Sequence, residues 1–319
     1  QVDVSAYSFE AMRDKVFATA AELEGNTAVN ITCGTKVMAL GAFDVARNFD
    51  LPVFYLDSRD QRILLLQPGG PDIRLPELLT VKTGLAAHGY RIDRCDTDLR
   101  IALTNRVLTE TLVNGAHRFR KALATVNYVA QKAKKKLKQP VALESRVDDV
   151  LAELLDLFAA AGLLAWDRDR CVVVFDNEQN RVYVNGGWLE EYCKQVVAGL
   201  KKEGVVYDLM ANVHISNAAG TVKNELDLAL TARNRLHLIE CKTAKLTLKD
   251  GDETKGAQAG YKLDTLRDVT GGSFARAMLV SFQPLSDMDR MRCQSYGISL
   301  VEAQHLPRLR EKLLEWIRS

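Results

Sequence analysis

The segment from Asn224 to Lys242 constrains the fold of this chain more than any other. The stretch Arg-Asn-Arg is flanked by two runs in which apolar residues recur at alternate positions, Glu225 to Ala232 and Leu236 to Cys241. Asparagine favours tight turns, and runs of this length on both sides of one predict a β-hairpin. We therefore expect two antiparallel strands in the carboxyl-terminal third of the chain.

The predicted hairpin gathers charged side chains on one face. Because side chains alternate between the faces of a strand, Glu225 and Asp227 project together from the first strand, and Glu240 and Lys242 from the second. Charged groups beside a buried sheet are costly unless they are paired or bound to a metal. Three leucines are expected on the opposite face of the first strand: Leu226, Leu228 and Leu230.

The charged face has two interpretations. The carboxylates of Asp227 and Glu240 are hard oxygen ligands that suit Mg²⁺ or Mn²⁺. Lys242 is placed to stabilise charge on a phosphate or to help deprotonate a metal-bound water. The alternative is a surface ion pair on an edge hairpin, and such pairs contribute little to stability.

Composition is that of an ordinary globular protein, with 47% hydrophobic and 26% charged residues in a chain of 319. This length predicts two or three domains. A net charge of +2 excludes a basic character of the whole chain, so a polyanion site must come from local clustering. The six cysteines form no CxxC pair, and no signal peptide or apolar run of spanning length is present, so we expect a cytoplasmic protein without membrane contact.

The amino-terminal region alternates helices and strands. The pattern is half of a doubly wound, Rossmann-like α/β domain that lacks its opening strand, and we expect residues before Gln1 to be missing. The predicted elements are a helix that begins near Ser8, a strand over Thr27–Thr32, a helix over Val37–Asn48 and a strand over Pro52–Asp57.

The loop between the first strand and its following helix is a candidate anion site. Free backbone N–H groups and the helix dipole favour a negative charge there, and glycine allows close backbone approach. An ordinary strand-to-helix turn capped by Thr35 explains the same sequence. The candidate ligand-binding residues are Thr32, Cys33, Gly34, Thr35 and Lys36.

A basic region and an acidic region occupy the middle of the chain. From about Ile101 to Lys138 the pattern is helical and increasingly basic, which is typical of a solvated face, although in a nucleic-acid enzyme it could follow phosphates. Residues 143–185 predict a helix and then two strands, Cys171–Phe175 and Arg181–Val184, which together form a winged-helix-like element. Its many acidic residues favour a spacer.

The region from Gly186 onward predicts an α/β sandwich. Gln258, Tyr261 and Lys262 are candidate phosphate contacts or plain surface residues. The predicted elements are a helix over Trp188–Lys201, a strand with Val213 and Ile215, the hairpin, a helix over Tyr261–Val269, strands over Met278–Phe282 and Ile298–Glu302, and an amphipathic helix over Leu306–Ile317.

Four short motifs carry a resemblance to a known family. The first motif resembles the core of the PD-(D/E)xK nuclease superfamily: twelve residues separate Asp227 from the tripeptide Glu-Cys-Lys that ends at Lys242. The Asn-x-Thr-x-Gly-Thr-Lys loop ending at Lys36 is similar to that of CARF domains, which sense cyclic oligoadenylates. With Gly-Gly-Trp-Leu-Glu ending at Glu190 and Tyr-Lys-Leu-Asp-Thr-Leu-Arg-Asp ending at Asp268, the chain resembles the CARF-fused nucleases of type III CRISPR systems.

The resemblance implies a fold in three parts. A Rossmann-like CARF domain is expected over residues 1–92, a helical and winged-helix-like linker over 93–185, and a PD-(D/E)xK restriction-endonuclease-like α/β domain over 186–319. In that superfamily an acidic residue from a preceding helix joins the metal site, which here is Glu190 or Glu191.

The resemblance also implies an activity. The expected protein is a homodimeric, allosterically activated endonuclease of antiviral defence that binds cyclic tetra-adenylate between two CARF domains and cuts single-stranded, nicked or duplex DNA or RNA with Mn²⁺ or Mg²⁺. Asp227, Glu240 and Lys242 would carry catalysis, with Glu190 as a helper. The metal ligands would be Asp227, Glu240 and the backbone carbonyl of Cys241. The ligand contacts carried over are Thr32, Cys33, Gly34, Thr35 and Lys36.

Two departures and two rival functions accompany this resemblance. Cys33 stands where many CARF loops have a second glycine, and we expect the opening strand, which would normally help to bind the ligand, to be missing. One rival is a repair or restriction nuclease that is independent of signalling. The other is a non-catalytic, ligand-responsive regulator that binds nucleic acid through the winged-helix-like element, although the complete set of Asp, Glu and Lys argues against a degenerate enzyme.

Overall fold

The structure is a computed structural model that describes residues 4–22, 25–96, 103–144, 146–250 and 253–319. Its contacts divide the chain into two compact units, residues 1–77 and residues 78–319. The domain boundaries expected at residues 92 and 185 remain predictions. No helix in the described ranges is both long enough and apolar enough to cross a bilayer.

The first unit contains a four-stranded sheet in the order β1-β2-β3-β4. Strands β1 and β2 are parallel, and the other two pairs are antiparallel. The predicted succession of helix, strand, helix and strand is present. The elements are α1 (Phe9–Glu22), β1 (Val29–Asn30), α2 (Lys36–Asn48), β2 (Val53–Asp57), β3 (Arg62–Gln67) and β4 (Ile73–Arg74).

The second unit begins with helices and a small sheet. The helix α6 and the strand β8 are present as expected between residues 143 and 185, but β8 pairs with β6 and β7, which were not predicted, in a three-stranded antiparallel sheet of order β6-β8-β7. The elements are α3 (Val81–Ala87), β5 (Tyr90–Asp96), α4 (Leu103–Asn114), α5 (Ala116–Lys132), β6 (Val141–Ala142), α6 (Asp149–Ala160), β7 (Ala165–Asp167), β8 (Val172–Val174) and α7 (Glu178–Val182).

The strand predicted over Arg181–Val184 is wrong, because this segment is helical. The Asn177 side chain caps α7 by accepting the Asn180 N–H at 2.8 Å. The buried Arg181 guanidinium donates twice to Glu178, at 2.7 Å each, and once to the Ala130 carbonyl of α5 at 2.9 Å. A cap and a paired arginine thus stabilise a turn of helix where alternation suggested a strand.

A six-stranded mixed sheet organises the second unit in the order β15-β14-β11-β10-β9-β5. Strands β11, β14 and β15 are parallel, whereas β5, β9, β10 and β11 pair antiparallel. The elements are α8 (Trp188–Lys202), β9 (Asp208–Asn217), β10 (Lys223–Ala232), β11 (Arg235–Lys242), β12 (Lys249–Asp250), β13 (Glu253–Thr254), α9 (Lys255–Gly271), β14 (Ala275–Ser281), α10 (Asp287–Ser295), β15 (Ile298–Glu302) and α11 (Leu309–Arg318).

The predicted hairpin is β10 and β11, and its register places Leu228 opposite Ile239. The expectation that three leucines share one face of β10 is wrong. Leu228 and Leu230 pack in the apolar cluster that includes α8 and α11, while Leu226 packs in the cluster on α3 and α9. The alternation breaks at Asp227, and the neighbouring strand carries Asn212 at a left-handed φ of 48° at the same level.

Candidate active site

The charged residues of the hairpin meet where β10 and β11 lie farthest from their turn. The Asp227 carboxylate accepts the backbone N–H of Cys241 at 2.7 Å, which fixes it across the two strands. The Lys242 ammonium donates to Glu240 Oε1 at 2.5 Å, and Lys262 of α9 approaches the same oxygen at 3.4 Å. The structure therefore brings together Asp227, Glu240 and Lys242 as the sequence predicted, and adds Lys262.

Helix α8 brings a third carboxylate to this cluster. Glu190 and Asp227 line one cavity of about 700 Å³, hereafter the acidic cavity. Five carboxylates and two cations line it, namely Asp96, Glu178, Glu190, Glu191 and Asp227 with Arg94 and Lys194. Glu191 already accepts from the buried Lys194 at 2.9 Å. Glu190 is therefore better placed than Glu191 to join a site with Asp227.

The electrostatics of the cluster follow from burial and crowding. Desolvation, and then the charge on Asp227, raise the pKa of Glu190 to about 8. Desolvation, and then Glu240, raise the pKa of Asp227 to about 6. Burial by itself would lower the pKa of Lys242, but the Glu240 and Asp227 carboxylates raise it above its usual value. Lys242 is therefore an ammonium at neutral pH.

The oxygen donors present fit a divalent cation better than a softer metal. Within the described ranges, no three His, Cys, Asp or Glu side chains form a metal-binding group. The Cys241 side chain is buried in the core next to Cys193, where that thiol and burial raise its pKa, so only the carbonyl of Cys241 is a plausible ligand. The carboxylates of Asp227 and Glu240, where burial and then the charge on Glu240 raise the pKa of Asp227, are hard donors of the kind that Mg²⁺ or Mn²⁺ requires.

One glycine sets how closely the start of α8 approaches the end of β11. Gly186 has φ of 121°, and a Cβ atom placed there would lie 2.2 Å from Thr243 Oγ1. Asn127 of α5 donates its side-chain amide to the same hydroxyl at 3.1 Å. Sequence reasoning missed Thr243 and Asn127, because these residues lie 116 positions apart and neither belongs to a charged pattern.

In the first unit, two of the five candidate ligand residues have structural contacts. Thr32 Oγ1 accepts the Leu56 N–H at 2.7 Å and so ties the loop to β2. Thr35 caps α2 by accepting the Met38 N–H at 3.2 Å, and its hydroxyl donates to the Ala6 carbonyl. The cap foreseen as the alternative is thus present. The exposed members of the loop are Cys33, Gly34 and Lys36.

The fold and the cluster define a class of protein. The second unit is an endonuclease-type α/β domain: its mixed sheet carries Asp227, Glu240 and Lys242 at the end of a hairpin, beside an acidic helix. The α/β unit that precedes it in the chain is of the sensor type. Family models for a Card1 CARF domain and a Card1-like endonuclease domain match residues 2–83 and 176–319. The chain belongs to this family of CARF-fused nucleases, as the motifs indicated.

Two solved structures resemble nearly the whole chain. Protein VC1899 from Vibrio cholerae shares 29% identity at a TM-score of 0.84, over 98% of this chain and 82% of that one. Can2 from Sulfobacillus thermosulfidooxidans, solved in complex with cyclic tetra-adenylate, shares 29% identity at a TM-score of 0.81, over 99% and 82%. Among curated proteins, none matches this chain.

Proposed function

We propose that this protein is a cyclic-oligoadenylate-activated, metal-dependent endonuclease in CRISPR defence, with Asp227, Glu240, Lys242 and Glu190 as its reaction centre. The observation that carries the proposal is the meeting of Asp227 and Glu240 beside the Lys242 ammonium at the end of one hairpin. The match of a CARF domain and an endonuclease domain in one chain supports the coupling of sensing to cutting.

The metal site consists of Asp227, Glu240 and the Cys241 carbonyl. A bound Mn²⁺ or Mg²⁺ would supply an activated water and charge neutralisation at the scissile phosphate. The N–H of Cys241 holds the Asp227 carboxylate in one orientation. Glu190 adds a carboxyl whose pKa of about 8 lets it hold a proton at neutral pH.

Lys242 acts as a cation rather than as a base. Its raised pKa keeps the ammonium charged at neutral pH, and the 2.5 Å contact with Glu240 fixes where that charge lies. A fixed positive charge next to the reacting phosphate stabilises the negative charge that develops as the phosphodiester bond breaks. Charge stabilisation is therefore the role that we propose for Lys242, in preference to helping deprotonate a metal-bound water.

The sensing half takes cyclic tetra-adenylate in a homodimer. The ligand in the Can2 structure and the match to a CARF domain support this choice. Cys33, Gly34 and Lys36 are the exposed loop residues that would approach the ligand, while Thr32 and Thr35 shape the loop. Activation then requires the ligand to bind one of two global states more tightly than the other.

The test is cleavage of labelled single- and double-stranded DNA and RNA, with and without cyclic tetra-adenylate and Mn²⁺. We expect cleavage to require both additions, and to be lost in Glu240→Gln and Lys242→Ala while both variants stay folded. Glu311→Gln, an exposed carboxylate of α11, is the matched control and should cut normally. Full activity without ligand would favour a repair or restriction enzyme, and cleavage by either site variant would place the reaction elsewhere.

A further inference from the structure

A second groove opens beside the reaction centre and has the opposite charge. It measures about 860 Å³, and its walls include α5 and the segment that follows β11. Asn185 and Thr243 line this groove, while Gly187 and Glu190 line the acidic cavity, so the two cavities share the segment 185–187 as a wall. We call it the basic groove, defined by Lys121, Asn127, Tyr128, Thr243, Lys245 and Lys255.

The lysines of the basic groove are available to an anion. In the ranges that the structure describes, Lys121, Lys245 and Lys255 make no ion pair with a carboxylate. The one carboxylate in the lining, Glu144, is bound to Lys132 and to the Tyr128 hydroxyl. The segments of a phosphodiester strand that flank the cut would therefore be attracted to this groove more strongly than to the acidic cavity, where five carboxylates outnumber two cations.

Helix α9 connects the basic groove to the reaction centre. Lys255 lines the groove, and Lys262 lies 3.4 Å from Glu240 Oε1. These lysines are seven residues apart, two turns of the same helix face, which is about 10 Å at 1.5 Å per residue. A fully stacked strand advances about 3.4 Å per nucleotide and an unstacked strand advances farther, so the separation corresponds to at most roughly three nucleotides.

Polar and aromatic groups complete the groove. Asn127 is 9% exposed, its amide N–H₂ group donates to Thr243, and its buried Oδ1 atom has no hydrogen-bond partner among the residues that the structure describes. Tyr128 leaves 51% of its surface exposed, with the Lys132 ammonium 4.7 Å from its ring centre. A basic channel with an exposed aromatic ring is how proteins hold single strands without reading their sequence.

We propose that the basic groove binds the single-stranded segment that flanks the cut, with Lys121, Lys245 and Lys255 on successive phosphates and Tyr128 under a base. The proposal rests on the proposed function, because it places this strand relative to Glu240 and Lys242. These lysines are positioning residues. Their loss raises KM for the nucleic acid and leaves kcat close to that of the unaltered enzyme.

The test measures binding separately from cutting. A fluorescent homothymidine oligonucleotide is titrated with the full-length protein in EDTA and saturating cyclic tetra-adenylate, at several salt concentrations. The groove variant is Lys121→Gln, Lys245→Gln and Lys255→Gln together. The control variant, Lys134→Gln, Lys135→Gln and Lys136→Gln, removes the same charge from exposed lysines outside the groove.

The expected result is a change in salt dependence. Three lost phosphate contacts lower the slope of log K against log salt by about 2, so between about 50 and 200 mM salt the unaltered protein loses roughly 20-fold more affinity than the groove variant. The control variant should keep the slope of the unaltered protein. Tyr128→Ala should weaken binding at all salt concentrations by a similar factor, because stacking is not ionic.

Three outcomes would overturn the proposal: no binding by the unaltered protein, an unchanged slope in the groove variant, or an equal loss in the control variant. Each of these leaves the nuclease assignment standing if the unaltered protein still cuts with Mn²⁺ and loses cutting in Glu240→Gln. Failure of cutting under every condition would instead overturn the proposed function.

Discussion

Replacing Gly186 with alanine tests whether the approach of α8 to β11 is as close as the structure shows. The new Cβ would lie 2.2 Å from Thr243 Oγ1, a distance that relaxed Cβ atoms do not show, and 3.3 Å from Thr243 Cβ, which is a tight contact. The backbone at φ 121° is also a conformation that L-residues rarely adopt. Alanine here therefore carries both a steric and a conformational penalty.

The magnitude follows from these two terms. A residue held in a sparsely populated backbone region costs about 1–3 kcal/mol, and overpacking a buried site costs about 1–3 kcal/mol. We expect Gly186→Ala to lower the free energy of unfolding by about 4 kcal/mol, which for a unit of this size lowers Tm by on the order of 10 °C. The measurement is urea unfolding followed by circular dichroism.

A double mutant separates the two penalties. Thr243→Ala alone should cost about 1 kcal/mol, because Asn127 loses its hydroxyl partner. In the double variant the alanine at 186 no longer meets an oxygen, so we expect part of the loss to be recovered, while the φ penalty of about 1–3 kcal/mol remains.

Gly199 supplies the control. It lies within α8, and outside the backbone of that helix no atom of the described residues lies within 4 Å of its would-be Cβ, so Gly199→Ala should be stabilising by about 0.5–1 kcal/mol. Two results would refute the reasoning: a Gly186→Ala variant as stable as the unaltered protein, or penalties that add without coupling to Thr243→Ala.

Three further perturbations have defined outcomes. Burial lowers the pKa of His237 to about 4, whereas in the unfolded chain the histidine binds its proton near pH 6.5. The neutral His237 therefore contributes about 3 kcal/mol to the free energy of unfolding above pH 6.5, and this contribution is lost as pH falls towards 4. His237→Phe should flatten the pH dependence of urea unfolding between these pH values, and an unchanged curve would contradict this. Thr35→Ala should lower the stability of α2 by about 1 kcal/mol, which faster amide exchange in that helix would show. Thr35→Ser keeps the capping hydroxyl and should restore slow exchange; equally fast exchange in both variants would contradict the role of the cap. Saturating Mn²⁺ at about 100 times Kd should stabilise the protein by about 2.7 kcal/mol in a thermal-shift assay, and equal stabilisation of Asp227→Asn would remove Asp227 from the metal site.

Local patterns in the sequence predicted the hairpin and its charged end. Alternating apolar residues on both sides of the Asn234 turn placed β10 and β11 correctly, and the cap at Thr35 was foreseen as an alternative to anion binding. The helix predicted from Tyr261 in fact begins at Lys255, where Thr254 caps it by accepting the Ala257 N–H at 3.1 Å. Element types followed from periodicity, and boundaries depended on capping side chains.

Long-range geometry could not be predicted in the same way. The face of Leu226 depends on a break in alternation opposite Asn212, whose left-handed backbone no local pattern in the sequence indicates. The contact between Asn127 and Thr243 joins residues that no local pattern relates. The roles of Asp227, Glu240, Lys242 and Glu190 remain predictions, although their geometry is now defined.

Helix α5 makes hydrogen bonds to two chain segments near the site, from two of its residues that lie less than one turn apart. Asn127 bonds Thr243 at the end of β11, and the Ala130 carbonyl accepts from Arg181 of α7, the helix that precedes α8. A sliding of α5 along its own axis would thus carry the two chain segments in the same direction. The positions of both segments relative to an approaching strand would then change together.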